Sequence, residues 1–158
     1  MTEGRVPVSI RLAQPEDGPI ILAMLRDLAS FEGAAHTPRL DTVALARDVF
    51  GPTPKLNILI AEQAAGNGRR QIVGFVSHFR NYSSWEGNTG IHIGDLWVSP
   101  PIRGQGVGSA LLRHVLTQNE GKRIDVFVVR NNKARVFYER LGFKEQTGWC
   151  LYRIEADK

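Results

Sequence analysis

Arg103-Gly104-Gln105-Gly106-Val107-Gly108-Ser109 is the stretch whose reading decides the fold. Residues 91–98 before it are rich in β-branched and aromatic side chains, and Ser99-Pro100-Pro101 closes them. Ala110-Leu111-Leu112-Arg113-His114-Val115-Leu116 after it is apolar at helical spacing. The pattern predicts strand, glycine-rich loop, helix. Glycines let such a loop turn tightly and bring its N–H groups close to a ligand. The first N–H groups of a helix lack intrahelical partners and sit at the positive end of its dipole. Loop and helix start together make an anion cradle suited to a pyrophosphate, and Arg103 can add a positive charge.

Two common phosphate loops are excluded by their own residues. A P-loop needs Gly-Lys-Ser/Thr at its end, and no Lys stands there. A dinucleotide fingerprint needs Gly-x-Gly-x-x-Gly; counted from Gly104 the last position is Ser109, and from Gly106 it is Leu111. What remains, Arg-x-x-Gly-x-Gly opening a helix, resembles the coenzyme A loop of the GCN5-related N-acetyltransferases, the GNAT family. Further on, Asn131-x-x-Ala134-x-x-Phe137-Tyr138-x-x-x-Gly142-Phe143 resembles that family's second signature and stands one strand after the loop. Leu28-Ala29-x-Phe31-Glu32, Ser84-Trp85-x-Gly87 and Gly148-Trp149-x-Leu151-Tyr152 resemble more narrowly the spermidine/spermine (diamine) N-acetyltransferase branch, which also holds enzymes acting on thialysine-like amines.

The 158 residues suit one domain, expected over 1–158 with 1–7 as a loose lead. A hydrophobic share of 42% with 23% charged residues reads as a soluble globular chain. The net charge of +4 is mild and comes without a Lys/Arg block, so no nucleic-acid arm is expected. A single cysteine, Cys150, cannot form an internal disulfide, and no apolar run approaches a membrane span, so the expected location is the cytoplasm, with no membrane partner.

In chain order, strands are expected at 8–12, 56–61, 72–82, 91–98, 123–129 and 149–154. Helices are expected after Gln14-Pro15-Glu16-Asp17, with Ile20, Ile21, Met24, Leu25 and Leu28 as the apolar face, after Asp41, after the glycine loop, and from Asn131. Ala65-Gly66-Asn67-Gly68 makes a hairpin of the second and third strands. The helix after the loop is a crossover, which implies parallel pairing of the strands it joins. The fold class is α+β: a GNAT-like mixed, mostly antiparallel sheet of about six to seven strands with about four helices.

The resemblance implies an acetyl-CoA-dependent N-acetyltransferase acting by direct attack of an amine on the thioester, with no metal. It implies that Arg103, Gly104, Gln105, Gly106, Val107, Gly108 and Ser109 hold the pyrophosphate. Backbone groups of Leu96, Trp97 and Val98 would pair with the pantetheine arm, while Asn131 and Phe137 would lie against the coenzyme. Tyr138 matches the general acid, since a phenol with a pKa of about 10 suits a departing thiolate. Glu32, Trp85, Asp95 and Trp149 fall on the amine side. The diamine branch has Glu-Asp on its central strand; here the pair is Gly94-Asp95, and the acid that the branch carries before its Trp is also replaced, in Ser83-Ser84-Trp85. The base is thus open among Asp95, Glu32, His92 and a water chain, and Gly94 can instead mark a strand bulge. The expected acceptor is a small primary amine such as a diamine, a polyamine or an amino-acid-like amine. The alternatives are a peptide amine and a non-catalytic acyl-CoA module. A homodimer follows from family analogy alone.

Overall fold

Val8–Leu12 alternates apolar and polar residues in sequence and forms β1, the first strand of the computed structural model, which describes residues 7–34 and 37–156. Residues 1–6 of the expected lead lie outside the described residues. By internal contacts the chain divides into two compact units that meet at Phe127 and Val128.

In the first unit a short 3-10 turn at Pro15–Asp17 leads into α1, Gly18–Phe31. Arg11 fastens this entry: its guanidinium donates to both Asp17 oxygens at 2.7 and 3.0 Å and to Glu62 Oε1 at 2.7 Å. The side-chain hydrogen bonds from Arg11 pull the Asp17 carboxyl below the usual range against the opposing effect of its burial. α2, Thr42–Asp48, starts where Asp41 accepts from the Ala44 N–H at 2.8 Å, as its position in the sequence predicts. β2 (Asn57–Ala64) and β3 (Arg70–Ser83) form the expected hairpin, and β4 covers Asn88–Val98. α3, Val107–Gln118, is the crossover to β5, Ile124–Val126, which pairs parallel to β4.

The sheet order is β1-β2-β3-β4-β5, antiparallel except for the last pair. Ile21, Met24 and Leu28 of α1 and Leu45 of α2 pack with Ile58, Ile60, Phe75 and Trp97. α3 buries Val107, Leu111, Leu112 and Val115. The apolar stripe of α1 is rotated slightly from its expected position: Leu22 is buried while Ile20 is 40% exposed.

The β3–β4 ladder has one irregularity, and it falls at the predicted glycine. Val76 pairs with Leu96 and His78 with Ile93, so Gly94 and Asp95 together face Ser77 alone. Two residues against one is a β-bulge, which bends the strand and raises its twist. Pairing between β4 and β5 ends at Ile93 with Val126, just before the bulge. That is why the fifth strand covers only Ile124–Val126 instead of the expected 123–129.

In the second unit Asn132 Oδ1 accepts from the Ala134 N–H at 2.9 Å, and α4, Ala134–Arg140, follows with Lys133 as its N-cap, so the helix opens later than the expected Asn131. Gly142, with φ of 96°, follows its end as expected. The strand expected over 149–154 is not formed. Trp149, Leu151, Tyr152 and Ile154 are all exposed, and the described residues after α4 belong to no helix or strand. Alternating apolar residues give a segment the capacity for a ladder, but a ladder also needs a neighbour. The described sheet therefore has five strands instead of six or seven.

A Cβ on Gly94 would stand 2.8 Å from Ser77 Oγ, inside contact distance. Gly94→Ala is expected to lower stability by about 1–2 kcal/mol, the usual cost of overpacking. Adding Ser77→Ala should return a good part of it. Thermal unfolding of the single and double variants checks this; equal melting temperatures for wild type and Gly94→Ala would contradict the close fit.

Candidate active site

The bulge presents a side chain that a regular strand would hold differently. Ser77 is 1% exposed, and its hydroxyl donates to Asp95 Oδ2 at 2.7 Å while accepting from the Asp95 N–H at 2.8 Å. Both bonds hold Asp95 at one orientation. Glu32, which caps the C-terminal end of α1, lies within electrostatic reach of Asp95. Loss of hydration, and secondly the negative charge of Asp95, push the Glu32 carboxyl above its usual range. A carboxylate whose charge is disfavoured beside a second carboxylate marks a place where a cation is favoured.

The main chain beyond the bulge has a second property. The Ser99 N–H donates to Val73 O at 2.9 Å. Antiparallel bonding alternates, so Trp97 turns its N–H and C=O toward β3, whereas Leu96 and Val98 turn theirs away. They point to the side on which β4 has no further pairing with β5. The Val98 carbonyl there accepts from Arg103 Nε, while the Leu96 groups and the Val98 N–H form an open half-ladder for an extended polar arm.

Val98 leads through Ser99 and a 3-10 turn at Pro100–Ile102 into the glycine loop. Gly104 and Gly106 have φ of 78° and 85°, the left-handed conformation that disfavours a side chain. Gly106 is the N-cap of α3, and the Ala110 N–H is bonded to its carbonyl at 2.9 Å. The N–H groups of Val107, Gly108 and Ser109 precede that first helical bond and so face outward from the helix start. The side chains of the loop face elsewhere: Gln105 Nε2 donates to Pro101 O at 3.5 Å, and Arg103 Nε donates to Val98 O at 2.8 Å.

Within the first unit the structure thus brings Glu32, Asp95, Leu96, Trp97, Val98 and the loop 103–109 onto adjoining segments. Trp85 is separate. It is 94% exposed in the β3–β4 turn, and Asp95 stands about 23 Å from Asn88 along β4 at ~3.3 Å per residue. His92 is stacked between Phe79 and Phe127, with ring centroids at 5.0 and 4.6 Å, and burial lowers its pKa despite nearby Asp125. It is a neutral, packed imidazole at neutral pH.

In the second unit Tyr138 is buried, with Phe137 and Phe143 edge-on at 5.2 and 5.5 Å. Asn131 is exposed on the segment before α4. Trp149 is 78% exposed. Among the described residues no group of His, Cys, Asp and Glu could hold a metal ion, and no helix is long and apolar enough to cross a membrane.

Sequence reasoning passed over Ser77. Gly94 beside Asp95 is the trace it left, but the opposing residue depends on register across two strands.

The family model for the acetyltransferase (GNAT) domain matches residues 54–145, which include the bulged strand, the glycine loop and α4. The chain is 32% identical to thialysine N-epsilon-acetyltransferase of Mus musculus, over 94% of this chain and 92% of that one. It is 29% identical to a peptidyl-lysine N-acetyltransferase of Salmonella typhimurium, over 87% and 83% of the two chains. Among solved structures, one described as a probable acetyltransferase superposes with a TM-score of 0.76 at 21% identity, covering 95% of this chain and 99% of that one, which supports the fold. With the expected loop in the expected place and the family match across it, the chain belongs to the GNAT acetyltransferases.

Proposed function

We propose that this acetyltransferase moves an acetyl group from acetyl-CoA to the primary amine of a small cationic molecule, an amino-acid-like amine or a short diamine. The observation that carries the reading is one continuous run of chain. A carboxylate held at a bulge, Asp95, is followed by outward-facing backbone groups at Leu96 and Val98 and then by a helix start with free N–H groups. These features fit acetyl-CoA: a diphosphate at 103–109 and an amide-bearing arm along 96–98. When bound, the coenzyme supplies an activated thioester.

The chain's residues then have distinct tasks. Gly104, Gln105, Gly106, Val107, Gly108 and Ser109 offer main-chain N–H groups to the diphosphate, with Arg103 at the loop's start. The Leu96 N–H polarises the thioester oxygen, an electrostatic contribution that grows as negative charge develops there. Glu32 and Asp95 attract the ammonium, and Asp95, alone or through water, takes the proton that frees the nitrogen lone pair. Tyr138 returns a proton to the departing sulfur, and Asn131 and Phe137 lie against the coenzyme. Trp149 lends an aromatic face to the amine side, and Trp85 is given no part in the chemistry.

The acceptor class follows from charge. Gly94 stands where the diamine branch has a Glu, and the contact with Ser77 leaves no room for a side chain there. Fewer carboxylates favour a shorter cation than a long polyamine. The similarity to thialysine N-epsilon-acetyltransferase agrees with this choice. The similarity to a peptidyl-lysine N-acetyltransferase favours a second reading, in which the amine belongs to a protein lysine. The proposal treats 1–158 as one functional domain, since the family match spans both compact units, and takes it to be a cytoplasmic homodimer that needs no metal.

A panel of thialysine, ornithine, putrescine, spermidine and a lysine peptide, read by thiol release from acetyl-CoA, tests the reading. Highest kcat/KM on a short amine is expected; preference for the peptide would establish the second reading, and no turnover on any amine would overturn both. Tyr138→Phe is expected to keep acetyl-CoA affinity while lowering kcat about a hundredfold, within the usual range for a general acid. An unchanged kcat removes its role.

Glu32 gives a pH signature. Its folded-state pKa is raised, so the stability linked to it is present in acid and lost as pH rises through the raised value. Glu32→Gln should therefore melt no lower than wild type at pH 7.5, and its relative advantage should vanish in acid. The same variant should raise the amine KM about tenfold, roughly 1.4 kcal/mol, and wild-type amine KM should rise as pH falls. Glu32→Gln with unchanged KM would take Glu32 out of the acceptor site.

A further inference from the structure

Arg103 is the one cation of the glycine loop, and its side chain is already engaged within the first unit. Its Nε donates to Val98 O at 2.8 Å, on the face of β4 turned away from β3. Its guanidinium carbon lies 4.3 Å from the Trp97 ring centroid and 4.6 Å from that of Phe31. The two rings meet edge to face at 5.8 Å. Its own N–H donates to Pro100 O at 3.3 Å, closing the 3-10 turn. Trp97 is 6% exposed and belongs to the core, while Phe31 is 63% exposed at the last position of α1.

These contacts tie three segments at one point: the end of β4, the start of the coenzyme loop and the end of α1. Glu32 is the residue after Phe31. We infer that Arg103 is a positioning residue, a brace that sets the acceptor carboxylate Glu32 against the coenzyme arm, and that its side chain is not the diphosphate's counter-charge. This rests on the reading of 103–109 as the coenzyme loop and of Glu32 as an acceptor residue.

The chemistry favours arginine for this task. A planar guanidinium stacks on an aromatic face while its edge donates a directed hydrogen bond. A lysine ammonium keeps the charge but has no plane to stack, so Lys is a poor replacement for a brace and an adequate one for a point charge on a phosphate. The diphosphate can be held by main-chain N–H groups, as at other helix starts.

The test uses Arg103→Lys, Arg103→Met, Phe31→Ala and the double variant Arg103→Met/Phe31→Ala. The brace predicts that Arg103→Lys behaves like Arg103→Met, each raising the KM for the amine about fivefold to tenfold, with kcat changed less than twofold. Phe31→Ala should raise amine KM by a similar factor, and the double variant should add little, because both remove one contact. Amide hydrogen exchange of the full chain without ligand supplies a readout independent of turnover: residues 28–34 should exchange faster in Arg103→Met. If Arg103→Lys restores wild-type amine KM, or if Arg103→Met leaves exchange at 28–34 unchanged, the brace is overturned. Faster exchange at 28–34 in a protein that acetylates no amine keeps the brace and retires the enzymatic reading instead.

Discussion

The hydroxyl of Ser77, donating to the Asp95 carboxylate and accepting from the Asp95 amide, is the interaction on which the site depends. It exists because two residues of β4 face one of β3, and that count is sterically permitted because residue 94 has no Cβ. The bulge diverts β4 at the point where its parallel pairing with β5 stops. One local defect thus has two effects: it orients a carboxylate, and it leaves Leu96 and Val98 with backbone groups that no neighbouring strand uses. A regular strand would offer neither.

Such an arrangement carries a cost that is visible in the electrostatics. Loss of hydration, and after it the charge of Asp95, make Glu32 bind its proton more firmly than a free glutamate. The ionised form of Glu32 is disfavoured relative to that of a free glutamate, and an ammonium between the two carboxylates would relieve this. Strain of this kind is expected where a chain is arranged for a ligand rather than for its own stability. Away from the site the same chain pairs its charges well, as the Arg11 contacts with Asp17 and Glu62 show.

Much of this was legible in the sequence because it is local. The strand, glycine loop and helix around residues 103–109 follow from periodicity and from glycine placement, and the parallel pairing of β4 with β5 follows from the crossover helix between them. Asp41 as a cap and Gly142 as a helix stop are equally short-range signals. What stayed hidden depends on register or on a distant neighbour. Ser77 opposes the bulge only because of the β3–β4 alignment. The contact of Arg103 with Phe31 joins residues far apart in the chain, so nothing in the local sequence shows that this guanidinium lies against the Phe31 and Trp97 rings. The segment 149–154 carries strand-forming residues without a ladder to join, since alternation records a preference and not a partner. Trp85 matched by motif but sits in the turn at the far end of β4 from Val98.

The central claim is that the backbone beyond the bulge is held open to receive the coenzyme arm. Site-resolved amide exchange at Leu96 and Val98, measured with and without saturating acetyl-CoA, tests it most directly. Slowing of at least tenfold at both amides, with Trp97 already slow before addition, is the predicted result. Equal exchange rates at Leu96 and Val98 in the two states, under conditions where calorimetry shows the coenzyme bound, would contradict the account.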